Sequence, residues 1–385
     1  MKITHLCLAC FFPDGFSYQE NLLPKFHKRL GFDVDVIASL LTFGPHGERA
    51  YLDHSCTYIN ENGIKVTRLD YLSDNKLSKK FQLFKGLNTA LEESSPDILF
   101  IHGCQFLDMK EVISYLKRHP ATKVFVDNHA DYSNSATNVL SKYLLHRIIW
   151  RHTAHLIEPF CNMFWGVLPA RVDFLIENYK LPSNKCDLLV MGGDDDEIKR
   201  ASASSLVAET KTKLGFTDND FVIVTGGKID ESKRQVLALM DAVANLNGQV
   251  KLLIFGPVAL TLKSDFDIRL NCDHIKYIPW ASVSESYDYF AVADLVVFPG
   301  RHSVYWEQAA AMGKPLLIKR WEGSTHVDCG GNVAYTSGDD SEALASDLSE
   351  LVKPEVAHSM QEKACSFKDR FLYSVISRRS IGLDC

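Results

Sequence analysis

The sequence predicts an α/β chain of two Rossmann-like domains facing a central cleft. Three observations carry that expectation. A chain of 385 residues is long enough for two domains, each with its own core. Short apolar runs alternate with helix-length segments through both halves, as in parallel sheets covered by helices on both faces. A polar stretch, from Gly192-Gly-Asp-Asp-Asp-Glu to Ala201-Ser-Ala-Ser-Ser, interrupts the alternation and divides the halves. The boundary is expected at 195/196, with a second domain over 196–366.

In the first half, strands are expected over residues 3–12, 33–39, 64–69, 98–102, 123–127 and 188–191. Each is a short run of apolar and β-branched side chains. Helices over 18–30, 79–93, 109–118, 136–153 and 170–179 separate them. In the second half the strands are 221–226, 251–255, 275–278, 295–298, 315–319 and 332–335, with helices over 233–246, 284–291, 305–312 and 341–351. A last helical segment covers 367–381. Ligands of open α/β sheets bind beyond the carboxyl ends of the strands, so residues just after each strand are the candidates for chemistry.

An apolar fraction of 46% and a charged fraction of 23% describe a soluble globular protein. The net charge of −6 gives no global attraction for nucleic acid. Ten cysteines are scattered, several inside apolar runs (Cys7, Cys10, Cys104), the pattern of buried thiols in a reducing cytosol. Cys7-Leu-Ala-Cys10 has a metal-ligand spacing but lies in the first strand with no second pair, so it reads as core. No apolar run reaches the ~18–20 residues that span a bilayer. A cytoplasmic location is expected, with basic amphipathic stretches at 76–85 and 142–150 as candidates for peripheral membrane contact. The plainer reading has those helices packed on the sheet.

The most informative stretch follows the strand over 295–298: Pro299-Gly-Arg-His-Ser-Val-Tyr-Trp-Glu307-Gln-Ala-Ala-Ala-Met-Gly-Lys-Pro315. A helix start carries unpaired N–H groups and partial positive charge, a seat for phosphate. The amides of His302, Ser303 and Val304 are expected to face a diphosphate, with Glu307 accepting from ribose hydroxyls. The strand over 221–226 runs into Gly226-Gly227 and then Lys228, Lys233 and Arg234, cations of the kind that grip a pyrophosphate. The alternative is a set of solvated loop charges. His129 follows the strand over 123–127, sharing its loop with Asp127, Asn128 and Asp131; a loop histidine can equally cap a helix. His102, at another strand end, reads as structural. Trp321 to Asn332, with His326 and Asp328, forms either a second wall of the site or a tight turn.

These motifs resemble the donor site of GT-B-fold glycosyltransferases, especially the retaining group called glycosyltransferase family 4. There the segment reads Pro-Ser … Glu-Gly-Phe-Gly … Glu-Ala-Met-Ala-x-Gly-x-Pro, with two glutamates eight positions apart. Glu307 and Ala311-Met-Gly-Lys-Pro315 match the second half. The first glutamate, near the donor sugar in the family, is replaced by Pro299, which leaves Arg301 or His302 to meet the sugar. The resemblance implies a retaining transfer of a hexose from a nucleotide diphosphate donor to an acceptor hydroxyl, in polysaccharide or glycoconjugate biosynthesis. It assigns Lys228 and Arg234 (or Lys233) to the diphosphate, and His129 to a sugar hydroxyl. It places Gly15 and Phe16 in the loop over the phosphates, Gly227 in the phosphate turn, and Ile278 and Pro279 against the nucleobase, with Trp280 beside them. It also implies that residues 367–385 return to the first domain. The acceptor is a glycan or a lipid-linked sugar.

Cations and a helix start replace a metal in this scheme, so no metal and no resident cofactor are expected. The Asp-x-Asp pairs Asp33/Asp35, Asp194/Asp196 and Asp265/Asp267 stand at a strand start, the interdomain stretch and a polar segment, where oxygen ligands do not converge. Two other readings stay open: a nucleotide-sugar epimerase on the same fold, and a non-catalytic sugar- or nucleotide-binding protein. A dehydrogenase is disfavoured because no G-x-G-x-x-G follows the first strand.

Overall fold

The computed structural model describes residues 1–44, 48–135, 141–246 and 249–383, and the side chains of 141–144 lie outside this description. The chain divides into two compact units, Met1–Val190 with Ile376–Cys385, and Met191–Val375. The division falls at 190/191 instead of 195/196. The segment expected to leave the second domain at 367 stays with it as far as Val375.

The first unit is built on an eight-stranded sheet of order β10-β9-β8-β7-β1-β2-β6-β5. Its strands are β1 (Lys2–Cys7), β2 (Asp33–Ser39), β5 (Cys56–Ile59), β6 (Lys65–Leu69), β7 (Ile98–His102), β8 (Lys123–Asn128), β9 (Cys161–Gly166) and β10 (Cys186–Leu188). A separate hairpin pairs β3 (Leu41–Phe43) with β4 (Arg49–Tyr51). All ladders of the large sheet are parallel except β5–β6. The central strands are buried along their length; in β7 every residue of Ile-Leu-Phe-Ile-His is covered. Unbroken apolar runs suit a sheet with both faces packed, since neither side needs to meet water.

The second unit holds a six-stranded, wholly parallel sheet. It comprises β11 (Phe221–Gly226), β12 (Val250–Phe255), β13 (Ile275–Ile278), β14 (Leu295–Phe298), β15 (Leu316–Ile318) and β16 (Val333–Tyr335), in the order β13-β12-β11-β14-β15-β16. This is the 3-2-1-4-5-6 order of a Rossmann sheet. Its switch point lies between β11 and β14, where the two following loops diverge and leave room for a ligand.

Every strand expected in the second half is present within a residue or two. In the first half the run over 3–12 gives a strand only to Cys7, and the run at 188–191 becomes the short β10. Sequence periodicity missed β9, whose Cys-Asn-Met-Phe-Trp-Gly has polar and small residues among the apolar ones. It also missed β5 and the hairpin. Residues 136–140 of the helix expected over 136–153 lie outside the described residues; helix runs on from Ser141 to Ile157. Among the described residues no helix is long and apolar enough to cross a membrane, and every cysteine is unpaired.

Candidate functional site

The switch point of the second unit gathers three loops. β11 ends at Gly226, and Gly227 turns the chain with φ of +94°, a conformation that favours glycine. A methyl group there would stand 3.3 Å from the Tyr305 ring and 3.8 Å from Lys233 Nζ. Gly300, just past β14, approaches closely as well: a methyl group on it would lie 3.0 Å from Lys233 Cα. Two glycines thus let the loop after β11 close on the start of the Tyr305–Ala311 helix. The indole of Trp321 donates to Gly300 O at 3.1 Å, bringing the loop after β15 to the same place.

Lys233 is the cation this packing selects. Its ammonium makes no hydrogen bond or ion pair with a described residue, and burial lowers its pKa against the weaker pull of Asp230. Asp230 is itself engaged by Ser232, whose N–H and hydroxyl both donate to it. Lys228 and Arg234 are exposed, and Arg234 stands immediately before the Gln235–Ala244 helix. Of the three expected cations, therefore, Lys233 lies against the helix start. Arg301 is exposed too.

Ahead of the helix, the N–H groups of His302, Ser303 and Val304 have no partner among the described residues. The Tyr305 and Trp306 amides are turned back onto Ser303, at 3.5 Å to its Oγ and 2.9 Å to its carbonyl. Ile278 closes β13 and its carbonyl accepts from Gly256 N; Pro279 and Trp280 follow, both exposed. They stand at the edge strand of the sheet, separated from β11 by β12.

Glu307 differs from the expectation of an acid open to a ribose. It is fully buried, and its Oε1 accepts from His302 Nε2 at 2.8 Å and His326 Nε2 at 2.6 Å. Burial alone would raise its pKa, but the charge and hydrogen bonds of the two imidazoles outweigh it and hold the carboxyl well below the usual range. Oε2 is buried with no hydrogen-bond partner among the described residues. An acceptor left in that state costs about 1–3 kcal/mol.

His302, Glu307 and His326 are also the group among the described residues whose ligand atoms converge as a metal site requires, all within 4.8 Å. Around a tetrahedral zinc, neighbouring ligand atoms stand ~3.3 Å apart, as follows from metal–ligand bonds of about 2.0–2.1 Å. The 2.6 and 2.8 Å contacts here are direct N–H···O bonds.

In the first unit, His129 follows β8 with its side chain about one-third exposed, and its Nε2 lies 3.5 Å from Asp127 Oδ2. Its loop is built by its neighbours. Asp131 accepts from Ser133 N, Ser133 Oγ and Asn134 N and pairs with Arg171 at 3.2 Å; Asn128 donates to the Ala130 carbonyl. Asn128 and Asp131 are therefore occupied in shaping the loop. Gly15 (φ +74°) is exposed, its N–H donating to Glu61 Oε1 at 3.1 Å. Phe16 is exposed against Tyr18 and Phe43. The sequence reading gave His326 no bond to Glu307 and attached no significance to His5, His27 or Gln19. A histidine in the loop after the next strand is a weak signal of a bond to Glu307; His5, inside the apolar first strand, is a stronger one.

No family model and no curated protein sequence matches the chain. Solved structures do. A glycosyltransferase from Rickettsia africae ESF-5 is similar at TM-score 0.69 and 15% identity, over 98% of this chain and 96% of that one. HepE from Anabaena, solved in complex with UDP and glucose, is similar at TM-score 0.64 and 16% identity, over 98% of each. The UDP-GlcNAc 2-epimerase of Neisseria meningitidis, bound to UDP-GlcNAc, gives 0.61 and 13%, also over 98% of each. At these identities the likeness speaks to architecture, and it spans both units: the chain has the GT-B fold.

Proposed function

We propose that the chain is a glycosyltransferase that moves a sugar, most simply a hexose, from a nucleoside diphosphate to an acceptor hydroxyl with retention of configuration. The observation that carries this reading is the switch point of the second unit. There a half-buried ammonium (Lys233) and three amides (His302 to Val304), all without hydrogen-bond or ion-pair partners among the described residues, meet a glycine turn (Gly227) at the carboxyl ends of β11 and β14. A diphosphate supplies the counter-charge and acceptors these groups lack. As the sugar leaves, negative charge grows on that diphosphate, and preorganised donors stabilise it without reorganisation. Lys228 and Arg234 add long-range positive charge from the surface. His302 or Arg301 meets the sugar side, Ile278 and Pro279 back the base, and Glu307 Oε2, enclosed in the free protein, accepts a ribose hydroxyl once the His302 ring moves aside. His129 accepts from a sugar hydroxyl. The reaction is proposed to need no metal or resident cofactor, and to serve polysaccharide or glycoconjugate assembly with a glycan or lipid-linked acceptor. HepE's complexes favour uridine as the base.

Calorimetry with UDP, GDP and their hexose conjugates tests the reading. Micromolar to low-millimolar binding of a nucleoside diphosphate is expected, weakened by Lys233→Met; no binding to any of them would refute it. The epimerase reading is favoured by one observation, the equal coverage of the Neisseria enzyme. Turnover of UDP-GlcNAc to its 2-epimer without an acceptor would select it.

A further inference from the structure

The core of the first unit contains a line of three buried histidines that ends on Asp127. Along it, His27 Nε2 lies 2.9 Å from the Ser377 carbonyl and 3.0 Å from Ser380 Oγ, and His27 Nδ1 lies 3.0 Å from His5 Nε2. His5 Nδ1 is 3.0 Å from His102 Nε2, and His102 Nδ1 is 2.8 Å from Asp127 Oδ2. His5, His27 and Asp127 are wholly buried and His102 is 1% exposed. The parallel ladder of β7 and β8 sets His102 beside Asp127, and β1 places His5 next to β7.

Hydrogen counting fixes the charge of this line. A carbonyl accepts only, and Ser380 Oγ already donates its proton to that same carbonyl, so His27 Nε2 carries hydrogen. Each of the two ring-to-ring bonds needs one hydrogen, and the bond to Asp127 needs another. Four bonds require four protons, while three neutral imidazoles bring three. One extra proton must therefore sit in the line, cancelling the charge of Asp127. Gln19 Nε2 also donates to Asp127 Oδ2, at 3.0 Å, which favours the anion.

We propose that His102, backed by His5 and His27, is a positioning residue that holds one buried proton against Asp127. Asp127 in turn fixes His129 with Nε2–H inward and Nδ1 outward as the acceptor for a substrate hydroxyl. Asp127 Oδ1 and His129 Nε2 are both buried without a hydrogen-bond partner among the described residues, and closing the 3.5 Å gap between the two side chains satisfies the imidazole. Active-site contacts of this length tighten when substrate binds. The electrostatic surroundings favour the same location for the proton. Burial works against a charge on His102, but Asp127, with Cys7 and Glu20 adding, carries it up to about 9. Burial pushes His27 down to about 4, against its bond to Ser377, and burial with its two imidazole neighbours holds His5 low. The other groups facing the pair are Cys10 beyond β1, Cys104 beyond β7 and His129 itself.

The role of His129 rests on the function proposed above; the proton count does not, and the experiment separates them. Nitrogen-15 NMR of the full chain, labelled at histidine, reads charge and tautomer from pH 6 to 10. One buried ring, assigned through His102→Gln, is expected to carry both protons at pH 7 and to lose one near pH 9. His5 and His27 are expected to stay neutral with hydrogen on Nε2, and His129 to carry its hydrogen on Nε2. In Asp127→Asn the extra proton is absent at pH 7, His129 shows mixed tautomers, and kcat falls on the order of 100-fold with the donor KM within about threefold, the loss that a misplaced contact at the reacting centre brings. Three neutral buried rings in the wild type, or a His129 tautomer indifferent to Asp127→Asn, overturns the proposal. The expected spectra from a wild type without transfer activity would uphold the proton line and overturn only the function assigned to His129.

Discussion

Replacing Lys233 by methionine separates binding from stability, because the same ammonium serves one at the expense of the other. Methionine keeps the length of the stem and its packing between Gly227, Gly300 and Tyr305. In the free protein the lysine is a half-buried charge without an ion pair among the described residues, and burial lowers its pKa. Removing it relieves desolvation, a gain of about 1 kcal/mol as for other polar groups held in functional sites. For a unit of this size that raises Tm by about 2–4 °C. In the complex, a hydrogen bond to a charged phosphate is lost, about 1.5–3 kcal/mol, so Kd for UDP rises roughly 10- to 150-fold. Arg234→Met is the internal control: its side chain is exposed, and solvent screening limits the change in Kd to about threefold. Calorimetry for Kd and thermal unfolding for Tm give both numbers on one sample. An unchanged Kd in Lys233→Met, or a larger loss in Arg234→Met, refutes the assignment of the diphosphate to Lys233.

Glu307→Leu leaves two imidazole donors facing an apolar side chain, so urea unfolding is expected to show a loss of about 3–5 kcal/mol. Dialysis against EDTA is expected to leave UDP affinity and turnover unchanged; activity lost and restored by zinc would overturn the reading of the Glu307 trio as direct hydrogen bonds. Stability should also follow pH on both sides of neutrality. His102, raised from 6.5 to about 9, contributes stability that is complete below pH 6.5 and lost as pH rises through about 9, some 3 kcal/mol in all. His27, depressed to about 4, contributes stability that is lost as pH falls from 6.5 through 4, and Asp127 adds to that acid loss as its lowered carboxyl takes up a proton. Chemical denaturation at half-unit pH steps checks both limbs, and a flat profile from pH 6.5 to 9 contradicts the first.

The second unit was legible because its signals are local. Ala293-Asp-Leu-Val-Val-Phe and the helix after it are read within twenty residues, and so are Gly226-Gly227 and the cations that follow. The choice among those cations was not legible: Lys233 and Arg234 are neighbours in sequence, and only the approach of Gly300 and Tyr305 separates the covered one from the exposed one. Glu307 was found as an acid in a first helical turn, but its enclosure depends on His326, nineteen positions away on the far side of β15. The first unit hid more. His5, His27 and His102 look like isolated histidines, one in a strand, one in a helix and one at a strand end. Their line exists only because parallel pairing and helix packing set positions 5, 27, 102 and 377 side by side, contacts that no periodicity in the sequence encodes.

Each unit, considered by itself, uses the same device: a buried carboxylate beyond or at the end of a strand, held between two imidazoles of unequal exposure. In the first, Asp127 lies between buried His102 and His129, whose side chain is 33% exposed. In the second, Glu307 lies between buried His326 and His302, 15% exposed. Each carboxylate keeps one oxygen without a hydrogen bond among the described residues, Asp127 Oδ1 and Glu307 Oε2. A bare surface acid is hydrated and mobile, and binding must strip and freeze it. A carboxylate already dehydrated and fixed by an inner imidazole incurs that cost when the protein folds, and presents the outer imidazole in one orientation. His302 is held on Glu307 just ahead of the helix start, so its ring is oriented before any ligand arrives.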